Sequence, residues 1–302
     1  MKKLMCVVLA VILLVLSGCA GSSPEPDKGK ITVAASFYPV YIFTLNLLNG
    51  IDGVNVECMA EQNVGCLHDY TLTAKDARLL NDAEVLVING AGMEGFLQDA
   101  FRSVPELDMI NSASHIELIC KEEHHEEDHD EHNHENSHIW LSLENARLQV
   151  GNIKNGLVKE FPEYEKKIEE NYSDYIKRLD ALGEEREAVT SAVKACDVIS
   201  FHGAFEYMAE DLGLNVSATV ESDEGYEPSA RELAELSNKI KEDNIIALLV
   251  DPNYSGSGAE ILKRETNTEI YILNPIVSGE EKLTAYEDIM RENYKMILKA
   301  VK

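Results

Sequence analysis

The chain has 302 residues, with 27 Lys and Arg against 54 Asp and Glu, a formal charge of −27 at neutral pH. Such an acidic surface argues against nucleic acid and anionic lipid headgroups as partners and suits a protein that gathers cations. The length exceeds one typical domain and points to two lobes.

Lys2 and Lys3 precede an apolar run, Leu4 to Leu16, which is too short for a comfortable bilayer span and has the layout of a secretory signal. It ends in Leu16-Ser17-Gly18-Cys19, which resembles a bacterial lipobox. That resemblance implies a signal peptide over residues 1–18, cleavage before Cys19 and a lipid on its sulfur. The expected location is therefore the extracytoplasmic face of the cell membrane, lipid-anchored rather than spanning. Loss of Lys2 and Lys3 would take the formal charge from −27 to −29. Residues 19–30, polar with Pro24 and Pro26, read as a flexible tether.

The remainder alternates short aliphatic runs with helical patterns, which predicts an α/β fold of mostly parallel sheets flanked by helices. Strands are expected over Ile31 to Ala35, Val54 to Met59, Glu84 to Asn89 and Leu107 to Ile110. Helices are expected over Tyr38 to Leu48, Thr73 to Leu80, Glu94 to Ser103 and Ser142 to about Phe161. Pro162 to Val193 is strongly charged and repeats Tyr164, Ile168, Tyr172, Tyr175, Ile176, Leu179 and Leu182 at helical spacing. It predicts one rigid helix of about 45 Å, a strut joining two lobes. A second α/β half follows, with strands over Asp197 to Phe201, Leu214 to Thr219, Ile245 to Asp251 and Glu269 to Leu273. Its helices are expected over Phe205 to Leu212, Ser229 to Glu242, Gly258 to Thr266 and Thr284 to Lys299. The lobes are thus assigned to residues 31–161 and 194–302, joined by 162–193.

Within the first lobe, residues 121–137 form a loop of His and acid. It holds five of the nine histidines (His124, His125, His129, His132, His134) and eight carboxylates. The tract has almost nothing apolar to bury, so it reads as disordered, and its composition is that of a transition-metal binder. Three further histidines sit in defined settings: His68 in Gly65-Cys66-Leu67-His68-Asp69-Tyr70, His138 before Ile139-Trp140-Leu141, and His202 after a predicted strand. Strand C-terminal ends are where open α/β sheets place ligands. Spacing alone does not bring these three together. Cys58, Cys66, Cys120 and Cys196 contain no C-x-x-C pair, which argues against a thiolate zinc knuckle; Cys58 and Cys66 as a disulfide, or as free thiols, both stay open.

Resemblance supplies the rest. Cys66-Leu67-His68-Asp69-Tyr70-Thr71-Leu72, then Asp82 to Gly90 and Met93-Glu94-Gly95-Phe96, resemble the first-ligand region of bacterial zinc- and manganese-uptake solute-binding lipoproteins. Ser137-His138-Ile139-Trp140-Leu141-Ser142 is similar to that family's second-ligand motif, in which an acidic residue usually precedes Pro-His. Phe201-His202-Gly203-Ala204-Phe205-Glu206-Tyr207 is similar to the third. Glu227-Pro228-Ser229-Ala230 and the Tyr286 to Tyr294 segment match further family stretches. The resemblance implies a receptor that captures Zn²⁺ in an interlobe cleft through His68, His138 and His202 and passes it to the ABC permease of a zinc importer. A monomer without enzymatic activity is expected, and the acidic charge argues against nucleic acid as a partner. Histidine at the third position and the His-rich loop point to zinc, because imidazole suits zinc whereas Mn²⁺ favours carboxylate oxygen. Asn274, in Leu273-Asn274-Pro275, stands where the family usually carries an Asp. The fourth ligand is accordingly water, Asn274 or a loop carboxylate.

Two alternatives compete. One is manganese or iron binding within the same family. The other is a zinc hydrolase, because three histidines plus water also describe catalytic zinc. His125 and His129 give a nominal H-x-x-x-H, but in a tract without helix-forming apolar residues.

Overall fold

The computed structural model describes residues 31–60, 70–97, 100, 102, 104–121, 134–193, 196–220, 227–254 and 256–301. The signal, Cys19, the tether, Cys66, His68, His124, His125, His129 and His132 lie outside the described residues. His134 lies inside them, in backbone only.

Two parallel four-stranded sheets organise the chain. The first contains β1 (Ile31–Ala35), β2 (Val54–Cys58), β3 (Val85–Ile88) and β4 (Asp108–Asn111), in the order β2-β1-β3-β4. The second contains β7 (Asp197–Ser200), β8 (Asn215–Thr219), β9 (Ala247–Val250) and β10 (Glu269–Ile272), in the order β10-β9-β7-β8. Inner strands such as Val85-Leu86-Val87-Ile88 and Ala247-Leu248-Leu249-Val250 are continuous apolar runs, as strands covered on both faces require. Helices α1 (Tyr38–Leu47), α2 (Ala74–Asp82) and α3 (Leu143–Glu160) belong to the first half. In the second half are α5 (Glu206–Leu212), α6 (Ala230–Glu242), α7 (Gly258–Thr266) and α8 (Ala285–Ala300). Capping boxes at Thr73/Asp76 and Ser229/Glu232 open α2 and α6, each satisfying two otherwise orphaned backbone donors.

The predicted strut is α4 (Glu165–Ala192), 28 residues without a break, preceded by a 3₁₀ turn at Pro162–Tyr164. Gly183 does not interrupt it. A Cβ there would lie 2.6 Å from Arg147 Nη2, so glycine is the residue that lets the guanidinium approach. Arg147 then bonds the Leu179 carbonyl at 3.0 Å and pairs with Asp180. Arg178 of α4 pairs with the buried Glu287 of α8 at 2.9 Å and bonds Asn46 of α1. Asn171 donates to the carbonyls of Leu47 and Asn49, closing the C-terminus of α1. The strut is thereby fastened to both halves.

Two expectations need correction. The helix expected from Glu94 opens instead, over Gly95–Leu97, as a 3₁₀ turn. The Glu94 carboxylate folds back to accept Asn89 N–H (2.7 Å), Gly90 N–H (3.0 Å) and the Ser36 hydroxyl (2.8 Å). The tract 121–137 is not wholly a loop. Its ends form the antiparallel ladder β5 (Cys120–Lys121) and β6 (His134–Glu135), and Asn136 and Ser137 beyond it are buried. Among the described residues no helix is long and apolar enough to cross a membrane.

Candidate metal centre

The site lies at the C-terminal ends of the strands of both sheets. His202 stands two residues beyond β7, as N-cap of a 3₁₀ turn (Gly203–Phe205) that runs into α5. His138 precedes the 3₁₀ turn Ile139–Leu141, after which Ser142 caps α3 by accepting Asn145 N–H. The two imidazoles, far apart in the chain, come together edge to face with centroids 5.0 Å apart. Two imidazoles bound through nitrogen to one tetrahedral ion, with Zn–N of about 2.0–2.1 Å, have centroids about 5 Å apart. The observed spacing meets that requirement.

Both residues are 6% exposed, and each has its Nδ1 engaged. His202 Nδ1 lies 3.1 Å from Asp251 Oδ2, and Asp251 directly follows β9. A carboxylate can only accept, so His202 carries its proton on Nδ1 and its lone pair on Nε2. That Nε2 is buried without a hydrogen-bond partner among the described residues. An imidazole oriented by a carboxylate through its far nitrogen is the usual metal-ligand arrangement. His138 Nδ1 lies 3.0 Å from Asn136 Oδ1, which places its lone pair on Nε2 as well.

The floor beneath His138 is polar, and one acceptor in it, Gln149 Oε1, is buried without a hydrogen-bond partner among the described residues. Asn89, just past β3, donates to the carbonyl of Ser137 at 2.9 Å and accepts from Gln149 of α3 at 2.9 Å. Trp140, fully buried, stacks edge-on against Phe37 at 4.9 Å, an arrangement worth about 1 kcal/mol beyond its buried area. Its indole donates to the Pro275 carbonyl and its own carbonyl accepts from Tyr286. The buried Glu94 carboxyl is held above the usual carboxylate range by desolvation, which its three donors only partly offset.

Of the predicted ligands, His138 and His202 are brought together, and His68 lies outside the described residues. Among the described residues no group of three His, Cys, Asp or Glu has metal-holding geometry. Asn274 is half-buried beyond β10, and its Oδ1 accepts Ile276 N–H at 2.7 Å. Cys58 ends β2, and burial, assisted by Glu281, pushes its thiol up to about 12, so it is held as a neutral thiol. Sequence reasoning missed Asp251 and Asn136. Asp251 was recognisable as a carboxylate at the C-terminal end of a predicted strand. Asn136 was hidden inside the acidic tract.

Three comparisons bear on this geometry. The family model described as zinc-uptake complex component A, periplasmic, matches residues 33–300. The chain is 32% identical to the high-affinity zinc uptake system protein ZnuA of Bacillus subtilis, over 95% of this chain and 93% of that protein. It is 30% identical to the zinc-binding lipoprotein AdcA of Streptococcus pneumoniae over 98% of this chain, but spans only 60% of AdcA's length. The Zn(II)-bound structure of AdcA superposes with a TM-score of 0.73 at 27% identity, over 90% of this chain and 58% of that one. The Ni²⁺ complex of the solute-binding protein FpvC from Pseudomonas aeruginosa superposes with a TM-score of 0.77 at 25% identity, over 90% and 97% of the two chains.

Proposed function

The chain belongs to the family of zinc-uptake complex component A periplasmic proteins, and on that premise we propose that it is an extracytoplasmic receptor that captures Zn²⁺ for an importer. The observation that carries this reading is the buried His138–His202 pair, 5.0 Å between centroids, with the lone-pair nitrogen of His202 left without a partner among the described residues. Zinc is the cargo. His68, on the segment that follows β2, is the proposed third ligand. Two imidazoles whose Nδ1 atoms are each held by an oxygen acceptor keep Nε2 as the nitrogen that meets a divalent cation.

Residues 31–161 and 194–302 are taken as lobes and 162–193 as the connecting strut. A permease of the ABC type receives the metal, and the lipid on Cys19 holds the receptor at the membrane as a monomer. His124, His125, His129, His132 and His134 raise the local metal occupancy. The reading includes no enzymatic step, in keeping with a family of transport components.

The test is a competitive titration of purified residues 20–302 with Zn²⁺, Mn²⁺ and Ni²⁺ at fixed pH and ionic strength. One tight zinc equivalent that survives deletion of residues 122–133 is expected, with weaker equivalents lost. That deletion spares β5, β6 and Asn136. Tighter binding of Mn²⁺ or Ni²⁺ than of Zn²⁺ would reassign the cargo, and loss of all tight binding on deletion would put an essential ligand in the tract.

A further inference from the structure

We infer that Asn136 is a positioning residue that locks His138 and His202 into one preformed pair, and that Glu206 requires an amide at position 136. The inference rests on the metal-centre reading above. Asn136 is 8% exposed and every polar atom it has is used. Its Oδ1 accepts from His138 Nδ1 at 3.0 Å and from His138 N–H at 3.1 Å. Its Nδ2 donates to the Gly203 carbonyl at 2.8 Å and to Glu206 Oε2 at 2.9 Å. Its backbone N–H donates to the Ile119 carbonyl, and its own carbonyl accepts from Tyr207 at 2.7 Å.

Gly203 directly follows His202, so one side chain bridges His138 to the turn that carries the other histidine. The amide has a single workable orientation. Reversed, its NH₂ would face the N–H of His138 while its oxygen faced a carbonyl and a carboxylate. Glu206 is itself fixed, because Thr219 Oγ1 donates to its Oε1 at 2.6 Å and thereby turns Oε2 toward Asn136. A carboxylate at 136 could still accept from His138. Its second oxygen, however, would meet the Gly203 carbonyl and the Glu206 carboxylate in a buried setting, where like charges repel strongly. The His138 ring would then lose its fixed direction relative to His202.

The experiment is a swap of donor and acceptor, read by Zn²⁺ competition with a chromophoric chelator, with thermal melts of each metal-free variant to establish folding. Asn136→Ala and Asn136→Asp are each expected to weaken zinc binding about 10–100-fold, as loss of an orienting partner does. Glu206→Gln alone should lose less, since the new amide can turn its oxygen to Asn136 while the Thr219 hydroxyl accepts. Asn136→Asp combined with Glu206→Gln should regain about tenfold over Asn136→Asp, because the amide at position 206 then donates where Asn136 did. A general loosening of the fold would not be repaired by that second change. Should Asn136→Asp fail to fold, Asn136→Ser carries the test and must show the same loss. Wild-type affinity in folded Asn136→Asp or Asn136→Ser, or no recovery in the double variant, overturns the inference alone. Absence of tight zinc binding by the wild type overturns the functional reading and this inference with it.

Discussion

The two sheets share one topology and use it differently. In each, the first strand lies inside, flanked by the second and third, with the fourth at the far edge. The equivalent strand ends nonetheless carry different chemistry. Beyond β1 stand Ser36 and Phe37, beyond β7 Phe201 and His202; beyond β3 stands Asn89, beyond β9 Asp251. The first sheet thus offers neutral groups, of which Asn89 braces the backbone of Ser137, whereas the second offers an imidazole with its own carboxylate. The first half reaches the site by a long connection, and that connection is bonded largely to the second half. Asn136 holds Gly203 and Glu206, Trp140 holds Pro275, and Ser142 and Leu143 both bond Asp211. A shared architecture fixes where ligands can stand; the residues at the strand ends decide which ones do.

Removing an imidazole attacks both sides of this comparison at once. His138→Ala and His202→Ala should each weaken the tight zinc equivalent about 100-fold or more, since a site worth about 10–16 kcal/mol is shared among few ligands. Isothermal or chelator competition checks this, and wild-type affinity in either variant would remove that histidine from the centre. A sharper cut separates the two kinds of strand end. Asp251→Ala should cost about 10–100-fold in zinc affinity by releasing His202 Nδ1. Asn89→Ala should cost about 1–3 kcal/mol of stability by leaving buried partners unpaired, with a smaller effect on zinc. Equal losses of affinity in the two variants would show that neutral bracing and charged orientation are equivalent here.

Acid separates metal from fold. Zinc should be released on acidification below neutral pH, because protons compete with the ion for the imidazole nitrogens. The fold should not weaken over the same range. Glu94, Asp211 and Glu287 are all raised by burial, so in the folded state they bind protons at a pH where the unfolded chain does not. Their contribution is present below the unfolded carboxylate range and is lost as pH rises through the raised values, so stability increases on acidification across that window. The lowered carboxyls Asp174 and Asp288 act in the opposite sense, but only below the ordinary carboxylate range. Thermal melts of metal-free protein at about pH 7 and about pH 5 should therefore give a melting temperature at the lower pH equal to or above that at the higher. A clear drop would mean that other groups, uncharged in the folded state at neutral pH, dominate the linkage.

Regular elements are legible in the sequence because their cause is local. Gly258–Thr266 and Ile31–Ala35 follow to the residue from apolar period and flanking turn residues, and α4 follows from its repeat of Tyr, Ile and Leu. The stretch expected as helix from Glu94 opens as a 3₁₀ turn, and the Glu94 carboxylate is spent on the Asn89 and Gly90 N–H groups and, from far along the chain, the Ser36 hydroxyl. His138 and His202 are legible as candidates, their convergence only through family resemblance, since the stretch of chain between them carries no distance information. Asn136 is illegible for a different reason. Before it in sequence runs an acidic tract, while its neighbours in space are a glycine carbonyl and a glutamate from the other half.

The smallest effect expected is at Asn274, and it tests whether the fourth strand of the second sheet contributes to the centre at all. The side chain has a structural task. Its Oδ1 accepts Ile276 N–H, its backbone N–H donates to Asn293 Oδ1, and Asn293 donates back to its carbonyl. Ile276 is buried at φ 59°, an uncommon conformation for a β-branched residue, so this turn is strained and needs those bonds. The Pro275 carbonyl between them receives the Trp140 indole, which ties the turn to the platform under His138. Asn274→Asp preserves the acceptor that Ile276 requires, so the fold should hold with a change of about 0.5 kcal/mol or less. It adds an anionic oxygen, which favours Mn²⁺ over Zn²⁺ in proportion to how near that oxygen comes to the ion. With the carboxylate committed to the turn, the ratio of Mn²⁺ to Zn²⁺ affinity should move by about threefold or less, measured by competition at fixed pH and ionic strength. A rise of about tenfold or more would place residue 274 at the metal and make its amide one reason the centre prefers zinc.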